Sequence, residues 1–263
     1  MADFNYKKKF GQNFLKDNRI VSKIVSETNI PSNTLVVEVG PGKGILTKEL
    51  SKVAKNVICY EIDEELEGYL VSLQKELRNV KIIFSDFLTR DISKDFGSYK
   101  YENLYFVSNV PYYITTSILM KIMSSENTFD KITMMIQKEV GDRFSAKPGT
   151  KAYSSITVFL NYYYDIKKLF NVSRNEFVPV PNVDSVVISL TAKKDKKSLK
   201  NEKHFFELVR ESFKFKRKTI RNNLKKYDLN IVESVLAENG FSLSSRAEEL
   251  PLDVFVQISN ALN

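Results

Sequence analysis

The segment FVSNVPYY, residues 106–113, ends an apolar run on an amide, a proline and two aromatic rings. An exocyclic amine such as N6 of adenine is a weak nucleophile, because its lone pair is delocalised into the ring. Two hydrogen-bond acceptors on the amine would favour the tetrahedral form that frees the lone pair, and the Asn109 side-chain oxygen and the Val110 carbonyl suit this role. Pro111 would keep the turn rigid, and Tyr112 offers a ring on which a base can stack. The pattern predicts a site that aligns an aromatic amine, or else a plain strand-ending turn.

A glycine-rich stretch, EVGPGKGILT, follows an earlier strand-like run. Gly40, Gly42 and Gly44 permit a sharp turn and a close approach of a ligand to the backbone, with N–H groups supplied by the helix that follows. The spacing G-x-G-x-G is not the dinucleotide fingerprint G-x-G-x-x-G, and Lys43 is not followed by the Ser or Thr of a P-loop. The stretch indicates a ligand-binding loop without a phosphate-binding lysine, or an ordinary glycine turn.

Two further strand-like runs end on acidic residues. Glu61 follows the glycine turn by about twenty residues, where a carboxylate can accept both hydroxyl hydrogens of a ribose. Asp86 could accept a hydrogen bond from an adenine amino group, and Ile62 or Phe87 could pack on the ring. The alternatives are a solvated loop acid at Glu61 and a turn-forming aspartate at Asp86. Asp63 is better explained as the N-cap of a helix.

These strand ends together predict a nucleoside pocket that holds a ribose and an adenine. S-adenosylmethionine fits this description better than NAD or ATP do, because no phosphate-binding lysine is present. Its methyl group is carried on a sulfonium and is already electrophilic, so catalysis mainly requires alignment. Positioning of this kind can supply about 7 to 11 kcal/mol.

The elements that must position these residues are predicted from alternating patterns. Short runs rich in β-branched or aromatic residues occupy 34–40, 56–62, 80–86, 104–109 and 131–137. Segments with helical periodicity follow the first, second and fourth of these runs. Such alternation predicts a parallel α/β sheet with helices on both faces. Two later runs, at 154–166 and 184–192, are predicted as strands added in antiparallel orientation at one edge, which gives a mostly parallel, seven-stranded sheet.

The domain boundary is predicted at a basic stretch, AKKDKKSLKNEK, residues 192–203, after which helical periodicity continues to the end. Residues 1–192, with a basic N-terminal loop at 1–18, form the first predicted domain, and residues 193–263 form a small helical one.

The composition excludes several classes of site and of protein. The chain has 263 residues, a single cysteine (Cys59), a single histidine (His204) and a net charge of +8. This content argues against a disulfide, a zinc cage or a Cys-His dyad. Since no window reaches about 18 consecutive apolar residues, no membrane span or signal peptide is predicted. We expect a cytoplasmic, metal-free monomer, and the positive charge favours a polyanionic partner.

Five stretches resemble the ribosomal RNA adenine dimethyltransferase family. They are KKFGQNFLKD, EVGPGKGILT, NVPYYITT, QKEVGDRFSAKPGTKAY and FVPVPNVDSVVISL. The resemblance implies a Rossmann-like class I methyltransferase domain, a small all-helical domain, S-adenosyl-L-methionine as the cofactor and adenine N6 in rRNA as the target. It implies cofactor contacts at Asn13, Leu15, Gly40, Glu61, Asp86 and Asn109. It also implies a second aromatic, Phe177, across the target base from Tyr112, although this ring could instead pack into the core.

Two departures from the usual family motif occur in the Asn-Val-Pro-Tyr region. Val110 replaces a common leucine, which is harmless if only its carbonyl acts, and Ser117 stands where proline is common. Within the family, AKPGTKAY and the aspartate of NVDSVV resemble the branch that acts on small-subunit (16S) rRNA in an immature ribosomal small subunit. The alternative is the macrolide-resistance branch, which acts on large-subunit (23S) rRNA.

A cationic segment, residues 205–226, is the strongest candidate for RNA contact. Its cations are interleaved with Phe213 and Phe215, and they are Lys214, Lys216, Arg217, Lys218, Arg221, Lys225 and Lys226. Lys147 and Lys151 could extend this surface. Such a segment predicts phosphate contacts and a steep salt dependence, although charge runs are often only solvated. A non-catalytic RNA-binding assembly factor and a DNA adenine methyltransferase are the other functional hypotheses.

Overall fold

The computed structural model describes residues 14–263. Its strands are β1 (Phe14–Leu15), β2 (Thr34–Val39), β3 (Asn56–Glu61), β4 (Val80–Phe84), β5 (Asn103–Asn109), β6 (Lys131–Gln137), β7 (Tyr164–Val172), β8 (Phe177–Val178) and β9 (Ser185–Ala192). Its helices are α1 (Asn18–Thr28), α2 (Ile45–Val53), α3 (Glu67–Glu76), α4 (Ile92–Phe96), α5 (Thr115–Met123), α6 (Lys138–Phe144), α7 (Ser155–Tyr163), α8 (Glu202–Ser212), α9 (Ile220–Asn223), α10 (Leu229–Glu238) and α11 (Leu252–Ala261). The predicted cofactor residue Asn13 lies outside the described residues.

A seven-stranded sheet organises the chain before residue 193, in the order β4-β3-β2-β5-β6-β9-β7. The pairs from β4 to β6 are parallel, and β9 runs antiparallel to β6. The predicted mostly parallel sheet with an antiparallel addition is therefore confirmed. The strand order reverses between β2 and β5, and in open α/β sheets ligands bind beyond the carboxyl ends of the strands at such a point.

The buried strands explain why the sheet forms from these sequences. All six residues of β2 are buried, as are five of the six residues of β3. Strands covered on both faces require nearly continuous apolar runs, and both sequences have this pattern. Leu50 of α2 and Leu70 of α3 are fully buried in the same core cluster, so these helices pack against the sheet and fix the loops that follow β2 and β3.

The chain divides into two compact units. The first, here called the sheet unit, contains residues up to 141 and residues 167–192, and the second, the helical unit, contains 142–166 and 193–263. The helical unit thus takes in 142–166, which the sequence analysis assigned to the domain 1–192. Aromatic packing explains why α7 belongs to the helical unit. The centroid of the Phe159 ring lies 6.4 Å from that of Phe205 and 4.6 Å from that of Phe206, both in α8.

The prediction of a strand over 154–166 is wrong for most of that segment, since α7 occupies Ser155–Tyr163 and β7 begins only at Tyr164. The Ser154 N–H donates to Thr157 Oγ1 at 3.2 Å and helps to begin the helix. Four consecutive residues, 157–160, are buried, so the helix lacks the one-sided apolar stripe that sequence periodicity detects. Its β-branched and aromatic residues resemble strand composition instead.

The helical unit has a core of its own. Phe205 and Leu208 of α8, Leu236 of α10 and Phe255 of α11 are fully buried. Asn201 caps α8 by accepting a hydrogen bond from the His204 N–H at 3.0 Å. Within the described residues, no helix combines the length and the apolar character that crossing a membrane requires.

Candidate active site

A cavity of about 240 Å³ opens in the sheet unit at the carboxyl ends of β2, β3, β4 and β5. The sequence-predicted residues that line it are Leu15, Gly40, Gly42, Glu61, Ile62, Asp86, Phe87, Asn109, Val110, Pro111 and Tyr112. Five separate stretches of sequence therefore meet around one space. Four of them are the strand ends from which the sequence predicted the pocket, and the fifth contains Leu15 of β1.

The glycine turn between β2 and α2 has a backbone that favours glycine. Gly42 has φ +56° and Gly44 has φ +64°, and a Cβ at Gly44 would lie 2.2 Å from Leu73 Cδ2. The Tyr69 hydroxyl of α3 donates to the Lys43 carbonyl at 3.0 Å. The turn is thus packed closely against α3, which fixes the course of its backbone beside the cavity.

Glu61, the last residue of β3, is the most strongly oriented acid of the cavity. Its Oε1 accepts the N–H groups of Ile62 and Asp63, both at 2.9 Å, and its Oε2 accepts the Gly42 N–H at 3.2 Å. Only 5% of Glu61 is exposed. Burial raises the pKa of its carboxyl, and the three N–H donors oppose that rise. The Glu61 carboxylate is therefore a fixed acceptor, and the Gly42 N–H of the glycine turn helps to orient it.

Two neighbours of this acid have distinct roles. Asp63 Oδ1 accepts the Glu65 N–H at 3.3 Å, which agrees with its interpretation as a helix cap. The Ile62 side chain is 51% exposed at the cavity. It therefore offers an apolar surface on which a planar ligand could rest.

The loop after β4 carries Asp86 and Phe87. Asp86 Oδ1 accepts the Leu88 N–H at 2.8 Å, so the aspartate does form the turn proposed as its alternative role while also lining the cavity. Phe87 is buried, with its ring 5.2 Å from that of Tyr60 in an edge-to-face arrangement. Of the two residues predicted to pack on a bound adenine ring, Ile62 is exposed and Phe87 is not, so Ile62 is the one that a ligand can contact.

A lysine that the sequence analysis did not single out holds this loop. Lys121 Nζ, from α5, donates to the carbonyls of Leu88 at 3.0 Å and Arg90 at 2.7 Å. The helix that begins after the Asn-Val-Pro-Tyr loop is therefore tied directly to the loop that carries Asp86.

The Asn-Val-Pro-Tyr loop closes the other side of the cavity. Asn109 ends β5, Pro111 has φ −56°, and the Ile114 N–H donates to the Pro111 carbonyl at 3.2 Å in a short 3-10 turn. The Tyr112 hydroxyl shares a 2.7 Å hydrogen bond with Ser185 Oγ. Burial raises the pKa of Tyr112. The tyrosine ring is thus held from both its backbone and its hydroxyl.

Phe177 is not brought to this cavity. It is fully buried in the core cluster, in β8, where it pairs with Leu15 of β1. In this conformation its ring cannot cover a base opposite Tyr112. The role implied by the family resemblance stays a prediction, and the alternative of core packing describes the observed position.

Glu38 is the acid that sequence reasoning missed. It lies within β2, lines the cavity and is buried. Thr47 Oγ1 donates to its Oε2 at 2.7 Å, and Cys59 Sγ lies 3.5 Å from the same oxygen. Burial raises the pKa of Glu38 to about 7. The signal was available, since an acid inside the apolar run TLVVEV needs a partner or a ligand.

The predicted RNA-binding residues lie in the helical unit, and every one of them is exposed: Lys147, Lys151, Lys214, Lys216, Arg217, Lys218 and Arg221. Lys214 pairs with Glu211 at 3.4 Å. No cluster of potential metal ligands occurs among residues that the structure describes.

The fold and the cavity together define the class of protein. A mostly parallel, seven-stranded sheet with a cavity lined by strand-end residues at its switch point is the architecture of a Rossmann-like methyltransferase. The chain belongs to the ribosomal RNA adenine dimethylase family, whose model matches residues 3–263.

Individual relatives agree with this family. The chain is 40% identical to ribosomal RNA small subunit methyltransferase A of Bacillus mycoides (strain KBAB4) over 268 residues, which covers 98% of this chain and 92% of the relative. It is similar to a dimethyladenosine transferase from Plasmodium falciparum (TM-score 0.75, 25% identity, 93% of this chain and 95% of that one). It is also similar to the 23S rRNA methyltransferase ErmE (TM-score 0.72, 26% identity, 95% and 99%).

Proposed function

We propose that this protein transfers methyl groups from S-adenosyl-L-methionine to N6 of adenines in small-subunit (16S) rRNA, giving dimethyladenosine during maturation of the ribosomal small subunit. The observation that carries the proposal is the meeting of Glu61, the glycine turn and the Asn109–Tyr112 loop around one cavity. The family description supports adenine dimethylation. The 40% identity to a small-subunit enzyme supports the choice of rRNA.

The cofactor end of the cavity suits a nucleoside. Glu61 would accept the ribose hydroxyl hydrogens, since three N–H groups orient its carboxylate and Oε2 accepts only one of them. Asp86 would accept a hydrogen from the adenine amino group, with Ile62 on the ring face and with Leu15 and Gly40 nearby. When bound, the cofactor supplies a methyl group on a sulfonium, which is a strong electrophile.

The target end of the cavity would align the amine. The Asn109 side-chain oxygen and the Val110 carbonyl would accept the two N6 hydrogens, so that the nitrogen lone pair points at the methyl group. The Tyr112 ring would stack on the adenine. Because its hydroxyl already bonds to Ser185, we assign that hydroxyl the role of holding the ring and no part in proton transfer.

The rRNA partner would bind through charge. Lys216, Arg217 and Lys218 are exposed, and none of them forms an ion pair with a carboxylate in the part of the chain that the structure describes. Cations in this state are free to neutralise phosphates and release counterions. Lys147 and Lys151 would extend the contact. We further propose that the protein acts as a monomer in the cytoplasm.

Methyl transfer from labelled cofactor tests the proposal. Immature small subunits, large-subunit rRNA and DNA are offered separately, and the modified nucleoside is identified. We expect dimethyladenosine in 16S rRNA only. Transfer to large-subunit rRNA would favour the second candidate function, which the likeness to ErmE suggests. Tight binding of small subunits without transfer would favour a non-catalytic assembly factor.

A further inference from the structure

The turn that joins α8 to α9 carries two phenylalanines in different environments. Phe213 packs into the helical unit, with its ring 6.1 Å from that of Tyr153 and 5.8 Å from that of Phe255. Phe215, two residues later, is 56% exposed. Phe215 therefore takes no part in the core and presents an aromatic surface to solvent on an otherwise cationic turn.

The backbone beneath Phe215 is held firmly. Asn223 is buried, and its Nδ2 donates to the Ser212 carbonyl at 2.7 Å while its Oδ1 accepts the Phe215 N–H at 3.3 Å. The Lys218 N–H donates to the Phe215 carbonyl at 2.8 Å. Both backbone groups of Phe215 are therefore engaged, and the ring is presented from a fixed position. A ligand that covers it has little backbone entropy to overcome.

The charges around the ring favour a nucleic acid over an apolar protein surface. Lys216, Arg217 and Lys218 are exposed and without ion pairs to described residues, and Lys214 Nζ lies 5.9 Å from the centroid of the Phe215 ring. An apolar partner would have to desolvate these cations without compensation. A polynucleotide would neutralise them with phosphates while a base covers the ring.

We propose that Phe215 is a stacking site for an unpaired RNA base, outside the catalytic cavity. The proposal rests on the proposed function, because it takes rRNA to be the ligand of the helical unit. Bases within a helix are already stacked on one another, so an exposed ring can engage only a base at a bulge, a loop or a strand end. The cations hold the backbone, and Phe215 selects RNA that offers such a base.

Binding of 16S rRNA fragments to variants at position 215 tests the stacking. Phe215→Ala and Phe215→Leu should each weaken binding by about fivefold or more, the change expected for loss of one stacked base. Phe215→Trp should retain or improve it. None of these changes removes a charge, so the slope of log affinity against log salt should stay as in the parent.

Fluorescence gives a direct readout, because the chain contains no tryptophan. In Phe215→Trp the new indole should be quenched by RNA that contains unpaired bases and much less by a fully paired duplex of equal length. Ile231→Trp is the matched control, since Ile231 is an exposed apolar residue on α10 of the same unit. Its indole should respond to neither RNA.

Three outcomes would overturn the inference. Parent-like RNA affinity of Phe215→Ala would mean that no base contacts the ring. Parent-like affinity of Phe215→Leu would mean apolar contact without stacking. Weakened binding to whole subunits with unchanged binding to naked rRNA would mean that the ring docks on a protein. Failure of the parent itself to bind rRNA would instead count against the proposed function.

Discussion

Glu61 offers the sharpest test of the cofactor site, through the substitution Glu61→Gln. Its carboxylate accepts three backbone N–H groups, two on Oε1 and one on Oε2. Glutamine can keep the oxygen that accepts from Ile62 and Asp63, but its NH₂ group then faces the Gly42 N–H, donor against donor. The substitution thus removes both the charge and the acceptor that a ribose hydroxyl needs. Loss of a charge-assisted hydrogen bond costs about 1.5 to 3 kcal/mol.

Calorimetric titration of S-adenosylmethionine measures the effect. The cost corresponds to a dissociation constant for S-adenosylmethionine that is about 10- to 150-fold larger. Because burial raises the pKa of Glu61, parent affinity should also fall as the pH is lowered towards that pKa, whereas affinity of the glutamine variant should change little. Glu64→Gln is the matched control, since Glu64 is an exposed acid nearby that does not line the cavity. An affinity of Glu61→Gln within twofold of the parent, at unchanged thermal stability, would refute the ribose assignment.

Three further predictions concern catalysis, RNA binding and stability. In single-turnover assays with saturating small subunits, Asn109→Ala should slow methyl transfer by orders of magnitude, whereas Tyr112→Phe should keep most activity and Tyr112→Ala should lose about 1 to 3 kcal/mol of stacking. Equal loss in both tyrosine variants would contradict the stacking role. Replacing the cations at 216–218 together by alanine should flatten the log-log salt slope of rRNA binding by up to about three units, with cofactor affinity unchanged. Glu38 has a folded pKa of about 7 against an ordinary 4.5, so its contribution to stability is complete below pH 4.5 and is lost as the pH rises to 7. Denaturant unfolding of Glu38→Gln should therefore lack about 3 kcal/mol of that pH dependence.

The sheet and the strand ends that line the cavity could be predicted because both depend on local pattern. Apolar runs mark buried parallel strands, and the residue that ends each run must lie at the carboxyl edge of the sheet. The segment 154–166 could not be assigned this way, since α7 is buried over most of its surface and shows strand-like composition. The position of the Phe177 ring could not be predicted, for another reason. An aromatic residue in a Pro-rich stretch has the same sequence signature whether it faces a ligand or the core, and only the packing distinguishes the two.

The arrangement of β2 and β5 explains how one fold brings cofactor and target together. The two strands pair in parallel, with Val37 opposite Phe106. Beyond the paired residues, Ser108 Oγ donates to the Val39 carbonyl at 2.6 Å. Val39 immediately precedes the glycine turn and Ser108 immediately precedes Asn109, so this buried hydrogen bond fixes the separation between the loop that would hold the methyl donor and the loop that would hold the amine. Methyl transfer from a sulfonium needs an aligned nucleophile more than an acid or a base, and alignment is what adjacent, hydrogen-bonded strand ends provide. This accounts for a cavity whose proposed catalytic groups are two acceptors and a ring, without a cysteine or histidine among them.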